Sequence, residues 1–376
     1  MGSEFIPVCE PSLLGNEKKY VLDAVETGWI SSSGKYIKSF EESFAAFCGA
    51  RHGIGVCNGT VALHLALEAM GIGKGDEVII PNFTMIASAF SVCYVGAMPV
   101  FVDAEPETWN IDTSKIEEKI TKRTKAIMPV HIYGHPCDMD PITAVSKKHG
   151  LKILEDAAEA HGATYKGKKC GTLGDISAFS FFANKIVTTG EGGMVVTNDD
   201  GLAERSRYYK NLCFPLTGER TYIHKDIGFN YRMSNVVAAI GLAQTEKAGE
   251  YVEMRRRNNS LFREHLKGVK GITFQQEKSW AKNVYWMNGV VISAAQFGMT
   301  RDQLMKILKE KGVETRKFFM GMHRQPSLKD YGCSCTGAYP VTDDLAENGM
   351  YLPSSSSLSE KQIEYVCDII GRHSRS

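Results

Sequence analysis

A lysine at position 185 ends an aromatic and apolar run, Ser177-Ala-Phe-Ser-Phe-Phe-Ala-Asn-Lys185, and leads into a turn rich in threonine and glycine, Thr188-Thr-Gly-Glu-Gly-Gly193. Burial disfavours an ammonium ion, so a lysine set in such text gives up its proton more readily and offers a lone pair to a carbonyl carbon. That is the environment a nucleophilic or Schiff-base lysine requires. A lysine at a strand end reaching out to solvent accounts for the same text, and this stretch alone leaves both readings open.

A second stretch, Leu151-Lys-Ile-Leu-Glu155-Asp156-Ala-Ala-Glu159-Ala-His161-Gly162, reads as a buried strand that ends in carboxylates and continues in small residues. Ligands of doubly wound sheets bind beyond the carboxyl ends of strands. A carboxylate there, facing the nitrogen of a pyridine ring, keeps that nitrogen protonated and makes the ring an electron sink; an acidic helix cap is the plainer alternative. In a third stretch, Val56-Cys57-Asn58-Gly59-Thr60-Val61-Ala62-Leu63, a glycine and a hydroxyl residue open an apolar helix. The free amides and dipole of such a helix suit a phosphate group, although a turn with a cap explains the same residues. The three stretches follow one another in an order suited to a single phosphorylated cofactor.

Hydrophobic patterning indicates the elements that would hold these residues. The segments 77–81, 99–103, 125–132, 151–156, 176–182 and 193–197 are continuous rather than alternating apolar runs, the mark of strands buried on both faces. Gaps of roughly 20 residues between several of them leave room for crossover helices. An α/β fold with a mostly parallel, doubly wound sheet is therefore expected, with the helix Gly59–Met70 among its crossovers. Charged helical text over 243–259 marks a boundary between a large domain, residues 6–250, and a smaller α+β domain, residues 251–376. In the latter, 284–292 and 313–319 read as strands and 301–311 and 360–372 as helices. Met1-Gly2-Ser3-Glu4-Phe5 reads as translated cloning sites, so residues 1–5 are set aside from the fold.

The 376 residues are 43% apolar and 23% charged, ordinary for a globular chain and wrong for a disordered one. A net charge of +1 offers no bulk electrostatic case for binding nucleic acid or a membrane surface. No apolar run approaches the ~20 residues that span a bilayer. The ten cysteines include no C-x-x-C pair, and Cys333-Ser-Cys335 lacks a second half to complete a zinc site. They read as reduced thiols of a cytoplasmic protein. His131, His135 and His161 lack metal-ligand company at helical spacing and read as structural, so no metal is expected.

The sequence resembles the sugar aminotransferases of the DegT/DnrJ/EryC/StrS type, a branch of the fold-type I pyridoxal-phosphate enzymes. The resemblance runs from about Ile6 to the C-terminus. It passes through Gly28-Trp-Ile-Ser-Ser-Ser-Gly34, Asn58-Gly-Thr60, Gly75-Asp-Glu-Val-Ile-Ile-Pro81, Glu155-Asp-Ala-Ala-Glu159, Ser180-Phe-Phe-Ala-Asn-Lys185, Gly190-Glu-Gly-Gly193 and Gly228-Phe-Asn-Tyr-Arg-Met-Ser-Asn235. Within the family, His131-Ile-Tyr-Gly-His-Pro-Cys-Asp-Met139, Ser180-Phe-Phe with Asn184-Lys185, and Glu314-Thr-Arg316 are similar to members that aminate C4 of GDP-4-keto-6-deoxymannose.

The resemblance implies pyridoxal 5′-phosphate as cofactor, glutamate as amino donor, a nucleotide-linked keto sugar as acceptor, and a homodimer with shared active sites. It implies that Lys185 holds the cofactor covalently and, once displaced by the donor, moves a proton between the donor's α-carbon and the cofactor's C4′. It puts Asp156 at the ring nitrogen and Glu159 near the ring hydroxyl, where many relatives have Gln. Gly59, Thr60 and Ser180 would take the phosphate, and Asn230 the phosphate of the neighbouring subunit's cofactor. Two departures are expected to matter: Phe182 stands where many members carry His, and Met85 where an aromatic residue commonly stacks on the ring. Trp29, Ser31, Ser32, Tyr231, Arg316 and His323 match positions near the substrate cleft, where an arginine fork suits pyrophosphate. A core role for Trp29 and a surface role for Arg316 fit the text as well. Lysine rather than His at 185 argues for amino transfer over 3-dehydration of the sugar. The alternatives are the same chemistry on a UDP- or dTDP-linked keto sugar or a free keto-deoxy sugar acid, and a non-catalytic regulator on the same fold. Such regulators usually append a DNA-binding module, for which this chain has neither spare length nor a basic stripe.

Overall fold

The structure, a computed structural model, describes residues 5–219 and 221–375. Of the residues read as cloning-derived, Met1–4 lie outside the described residues. The first strands are β1 (His52–Val56), β2 (Glu77–Pro81), β3 (Met98–Val102), β4 (Thr124–Ile127) and β5 (Lys152–Asp156). They are followed by the short pair β6 (Thr164–Tyr165) and β7 (Lys168–Lys169), then β8 (Ile176–Ser180) and β9 (Gly193–Thr197). Seven of these form one sheet in the order β1-β9-β8-β5-β4-β2-β3. Strands β3, β2, β4, β5 and β8 are parallel, so their carboxyl ends lie on one side of the sheet. Strand β9 runs antiparallel to both β8 and β1, which turns the end of β1 to that same side.

The helices of this part are α1 (Glu17–Glu26), α2 (Lys35–Cys48), α3 (Gly59–Met70), α4 (Ile86–Tyr94), α5 (Met139–His149), α6 (Asp200–Lys210) and α7 (Asn235–Glu246). Helix α3 buries Leu63, Leu65, Leu67 and its alanines because it packs between the sheet, α4 and α6, and a helix apolar all round belongs in a core. Its N-terminus is capped by Asn58, whose Oδ1 accepts from the Val61 amide at 3.0 Å. Large-to-small changes in such a core cost about 2–5 kcal/mol.

A second sheet, antiparallel in the order β10-β12-β14-β13, is built from β10 (Ile272–Phe274), β12 (Asn288–Ile292), β13 (Arg316–Lys317) and β14 (Gly349–Leu352). The short β11 (Ala281–Lys282) joins β6 and β7 in a ribbon. Helix α8 (Ala248–His265) and the helices Arg301–Glu310 and Glu360–Arg372 cover the second sheet through Phe262, Leu304, Leu308, Ile363 and Val366. No helix among the described residues is long and apolar enough to cross a membrane.

Strands β2 and β9 and helix α3 coincide with the expected segments, and four other expectations need correction. The helical text over 243–259 is two helices: α7 ends at Glu246, α8 begins at Ala248, and Lys247 between them sits at φ −106°, ψ 0°. The break falls where packing changes, since α7 lies against α1 and α2 while α8 turns to the helix Glu360–Arg372. The run 125–132 stops at Ile127, before Pro129 and a left-handed Tyr133 at φ 56°. Of 284–292 only Asn288–Ile292 is strand, and of 313–319 only Arg316–Lys317. Strand β1 was not anticipated, because His52-Gly-Ile-Gly-Val56 is half glycine-spaced. A Cβ on Gly53 would lie 2.5 Å from the Glu41 carbonyl oxygen, so the close approach of α2 demands the residue that hides the strand.

Candidate active site

The carboxyl ends of the parallel strands and the N-terminus of α3 enclose a cavity of about 650 Å³. Asp156 closes β5, Ser180 closes β8, Gly59 and Thr60 open α3, and all four line it. So do Met85, Glu159 and Lys185. At Gly59 a Cβ would sit 2.6 Å from the Cβ of Ser180, and at Gly193 one would sit 2.3 Å from the Asn58 carbonyl oxygen. Glycine at both positions lets the turn before α3 press against β8 and β9, leaving first-turn amides facing the cavity beside a serine hydroxyl. A helix N-terminus so placed attracts an anion.

Lys185 lies on the Ser180–Lys185 turn with its side chain 9% exposed and its Nζ 3.7 Å from Glu159 Oε1. The centroid of the Trp286 ring is 3.5 Å from the same nitrogen. Burial lowers the pKa of Lys185, against the pull of the Glu159 and Asp156 charges. Burial raises Glu159 to about 7, opposed by the Lys185 charge and by the Tyr133 amide, which donates to Oε2 at 2.7 Å. Asp156 is also raised by burial, against the Ser88 hydroxyl, the Ala158 amide and the Lys185 charge. Those donors stand 2.7 Å and 3.2 Å from its two oxygens, and Thr84 meets the Ser88 hydroxyl at 2.9 Å. The result is an amine and two carboxylates gathered in one pocket, the proton affinity of each shifted by burial.

Trp286 had no signal in the sequence, because Val284–Met287 reads as the start of a strand. The chain has not yet entered the strand there: Tyr285 is left-handed at φ 47°, and its amide donates to Asn283 Oδ1 at 2.7 Å. The Trp286 amide then donates to the Tyr133 carbonyl at 2.9 Å and its indole N–H to the Asn184 carbonyl at 2.8 Å. Tyr94 and Phe319 also line the cavity without having been expected there.

Met85 is 46% exposed, and its Sδ accepts from the Ala87 amide at 3.0 Å as the cap of α4. Phe182 also lines the cavity. Asn230 is exposed on its own chain, beside Asn211 in an isolated antiparallel bridge. Among the described residues, those lining the cavity include none of Trp29, Ser31, Ser32, Tyr231, Arg316 and His323. Asn235 ties the first of these down, taking the Trp29 carbonyl on Nδ2 and the Ser31 carbonyl on its amide, both at 2.6 Å. Tyr231 meets His64 Nδ1 at 2.9 Å. Arg316 is exposed, 3.4 Å from Glu314, and His323 sits between Asn82 at 2.7 Å and Asp343 at 3.3 Å.

One buried trio, His131, Glu155 and Cys170, brings three potential metal ligands within 4.8 Å of one another. His131 Nδ1 accepts from the Cys137 amide at 3.0 Å, which leaves the proton on Nε2 to be donated to Glu155 at 3.0 Å. Glu155 also accepts from the amides of Gly171, Leu173 and Gly174. His131 and Glu155 are thus held by these partners in a network that ties β5 to the turn before β8.

The donor set of the cavity fits pyridoxal phosphate. A helix N-terminus pressed on a serine suits the phosphate, a buried carboxylate with fixed donors suits the ring nitrogen, and a buried amine suits the aldehyde. Fold and site together define a fold-type I pyridoxal-phosphate enzyme. The sequence matches the DegT/DnrJ/EryC1/StrS aminotransferase family over residues 11–371. It is 48% identical over 362 residues to the GDP-perosamine synthase of Caulobacter vibrioides, spanning 96% of each chain. It is 45% identical over 367 residues to the GDP-perosamine synthase of Escherichia coli O157:H7, spanning 98% of each. Among solved structures, DesI in the presence of its TDP-sugar product matches with a TM-score of 0.90 and 33% identity, over 98% of this chain and 93% of that one. The chain belongs to the DegT/DnrJ/EryC1/StrS aminotransferase family and is a pyridoxal-phosphate-dependent aminotransferase.

Proposed function

We propose that the protein moves the amino group of glutamate to the C4 keto group of a GDP-linked 4-keto-6-deoxy sugar. The observation that carries the reading is the buried Lys185 amine, 3.7 Å from Glu159, in the cavity that Asp156 and the start of α3 also line. The choice of a GDP sugar is supported by similarity over nearly the whole chain to two GDP-perosamine synthases.

Bound pyridoxal phosphate supplies an aldehyde carbon that takes up the amino group and a ring that draws electrons from the adjoining carbon. The amides of Gly59 and Thr60 and the hydroxyl of Ser180 would hold its phosphate. Asp156 would face the ring nitrogen and keep it protonated, its two oxygens oriented by the donors from Ser88 and Ala158. Glu159 is assigned to the ring hydroxyl and Met85 to the ring face. Lys185 anchors the cofactor through Nζ. When free, that atom takes and returns the proton, and burial lowers its basicity, the direction that helps it give the proton back. Trp286 and Phe319 supply apolar walls that limit water.

A homodimer completes the site in this reading. Asn230 is exposed on its own chain, and Ile223 and Ile227 a few residues before it are 79% and 89% exposed, which leaves this stretch open to a second copy. Asn230 of a second copy is assigned to the phosphate. Trp29, Ser31, Ser32, Tyr231, Arg316 and His323 are assigned to the sugar nucleotide at the cleft between copies. Residues 6–250 and 251–376 are taken as the large and small domains, and the cytoplasm as the setting, with small molecules rather than nucleic acid or membrane as partners. Incubation with glutamate and a panel of GDP-, UDP- and dTDP-linked 4-keto-6-deoxy sugars tests the reading, with products identified by mass and NMR. A C4-aminated GDP sugar supports it. Amination confined to UDP or dTDP sugars, or no amination of any acceptor, refutes it.

A further inference from the structure

We propose that Trp286 is a positioning residue for Lys185, parking the amine against its indole face whenever the lysine is not bound to the cofactor. The inference rests on the assignment of Lys185 as the cofactor-binding lysine and adds the residue that places the freed nitrogen. The amine lies 3.5 Å from the ring centroid, well inside the ~6 Å over which an ammonium is drawn to an aromatic face. Trp286 is 4% exposed, so water screens the attraction little.

The ring is held from several directions. Its N–H donates to the Asn184 carbonyl at 2.8 Å, its backbone amide donates to Tyr133 at 2.9 Å, and it packs against Tyr133 and Tyr351. Asn184 directly precedes Lys185, so one hydrogen bond fixes both the indole and the backbone that carries the lysine. Tyr285 adopts φ 47° just before it, a conformation that costs a non-glycine residue energy and here turns the indole inward. Glu159 stands 3.7 Å from the amine.

Amino transfer in two halves requires the same nitrogen to leave the cofactor and return. A free lysine has four rotatable bonds and many rotamers to wander among. The titratable groups that act on the amine are Glu159, Asp156, Cys9 and His161. Trp286 differs from all of them in that it favours the ammonium without gaining or losing a proton itself. It can therefore steady the lysine across the pH range in which Glu159 titrates.

The test uses the holoenzyme converted by glutamate to its pyridoxamine-phosphate form, in which Lys185 is free. Brief acetic anhydride labelling over a pH series, with peptide mass mapping, reads the titration of Lys185 apart from any turnover. Trp286→Phe and Trp286→Leu both lose the indole N–H, but only the leucine variant loses the ring face. The expected result is that Lys185 in Trp286→Phe titrates close to the wild type. In Trp286→Leu its midpoint falls by roughly one pH unit, and kcat falls roughly tenfold with little change in KM. Identical titration in the phenylalanine and leucine variants overturns the proposal. Should the leucine variant fail to fold, fluorinated tryptophans in the unaltered sequence weaken the ring's negative face without changing its shape. Four tryptophans are then labelled, and Lys185 stacks on Trp286. A midpoint that falls with each added fluorine supports the proposal, and a fixed midpoint overturns it. Equal labelling of Lys185 in the pyridoxal- and pyridoxamine-phosphate forms overturns the assignment of Lys185 itself, and the proposal with it.

Discussion

In Gly59→Ala the added methyl would lie 2.6 Å from the Cβ of Ser180, 2.9 Å from its Oγ and 3.1 Å from its Cα. Carbon atoms in contact prefer ~3.5–4.0 Å, so α3 and the end of β8 must part by about 1 Å. Neither gives way easily: α3 is buried on most sides, and β8 is paired along both edges. Overpacking of this kind costs about 1–3 kcal/mol, which a melt of the cofactor-free protein reads as a lower transition temperature. The same displacement draws the first amides of α3 away from Ser180, and one phosphate can no longer reach both. A hydrogen bond to a charged group contributes about 1.5–3 kcal/mol, so pyridoxal-phosphate affinity should fall roughly tenfold to a hundredfold. Titration of the cofactor-free variant with pyridoxal phosphate, followed by tryptophan fluorescence, is run beside the same titration with phosphate-free pyridoxal. The expected outcome is weaker binding of the phosphorylated ligand alone. Gly249→Ala, where a Cβ meets nothing within 4 Å, should change neither affinity. Equal losses for both ligands, or none for pyridoxal phosphate, would refute the placement of the phosphate at α3.

In Glu159→Gln, removal of an anion 3.7 Å from Nζ withdraws a force that favours the ammonium. Lys185 should therefore lose its proton at lower pH, and an upward shift or no shift in amine labelling would contradict the pairing. Asp156→Asn keeps the shape but removes the charge, so the variant should still bind cofactor while amino transfer falls roughly a hundredfold or more; near-native turnover would remove Asp156 from the ring nitrogen. Co-expression of Lys185→Ala with Asn230→Ala should return activity toward about a quarter of the native level, because one of the two sites in each mixed dimer is intact. Activity no higher than that of the separate variants would argue against a shared site.

How legible each part was follows from whether its cause is local. Asp156 and Lys185 stood out because apolar text gives way to a charged residue where a buried strand or the turn after it delivers a side chain to a site, whereas Ser180 came from the resemblance. The bounds of β2 and β9 came from the same cause. Helix α3 was legible because a helix buried on most sides has no polar face to confuse. Trp286 was not legible: its place depends on Tyr133 and Asn184, more than a hundred residues away in sequence, and on a left-handed Tyr285 that β-propensity argues against. The antiparallel course of β9 was hidden for a related reason. Strand direction depends on the tight turn Thr188–Gly193 and on β1, whose glycines answer to the close approach of α2. The substrate assignments came from resemblance alone, and the six residues concerned lie away from the cavity lining of a single chain.

Borohydride treatment of the purified yellow protein, followed by peptide mass mapping, tests the covalent anchor most directly. The expected result is a phosphopyridoxyl group on Lys185 and on no other lysine. The same group on a different lysine, or a protein that takes up pyridoxal phosphate without any reducible bond, would contradict the account.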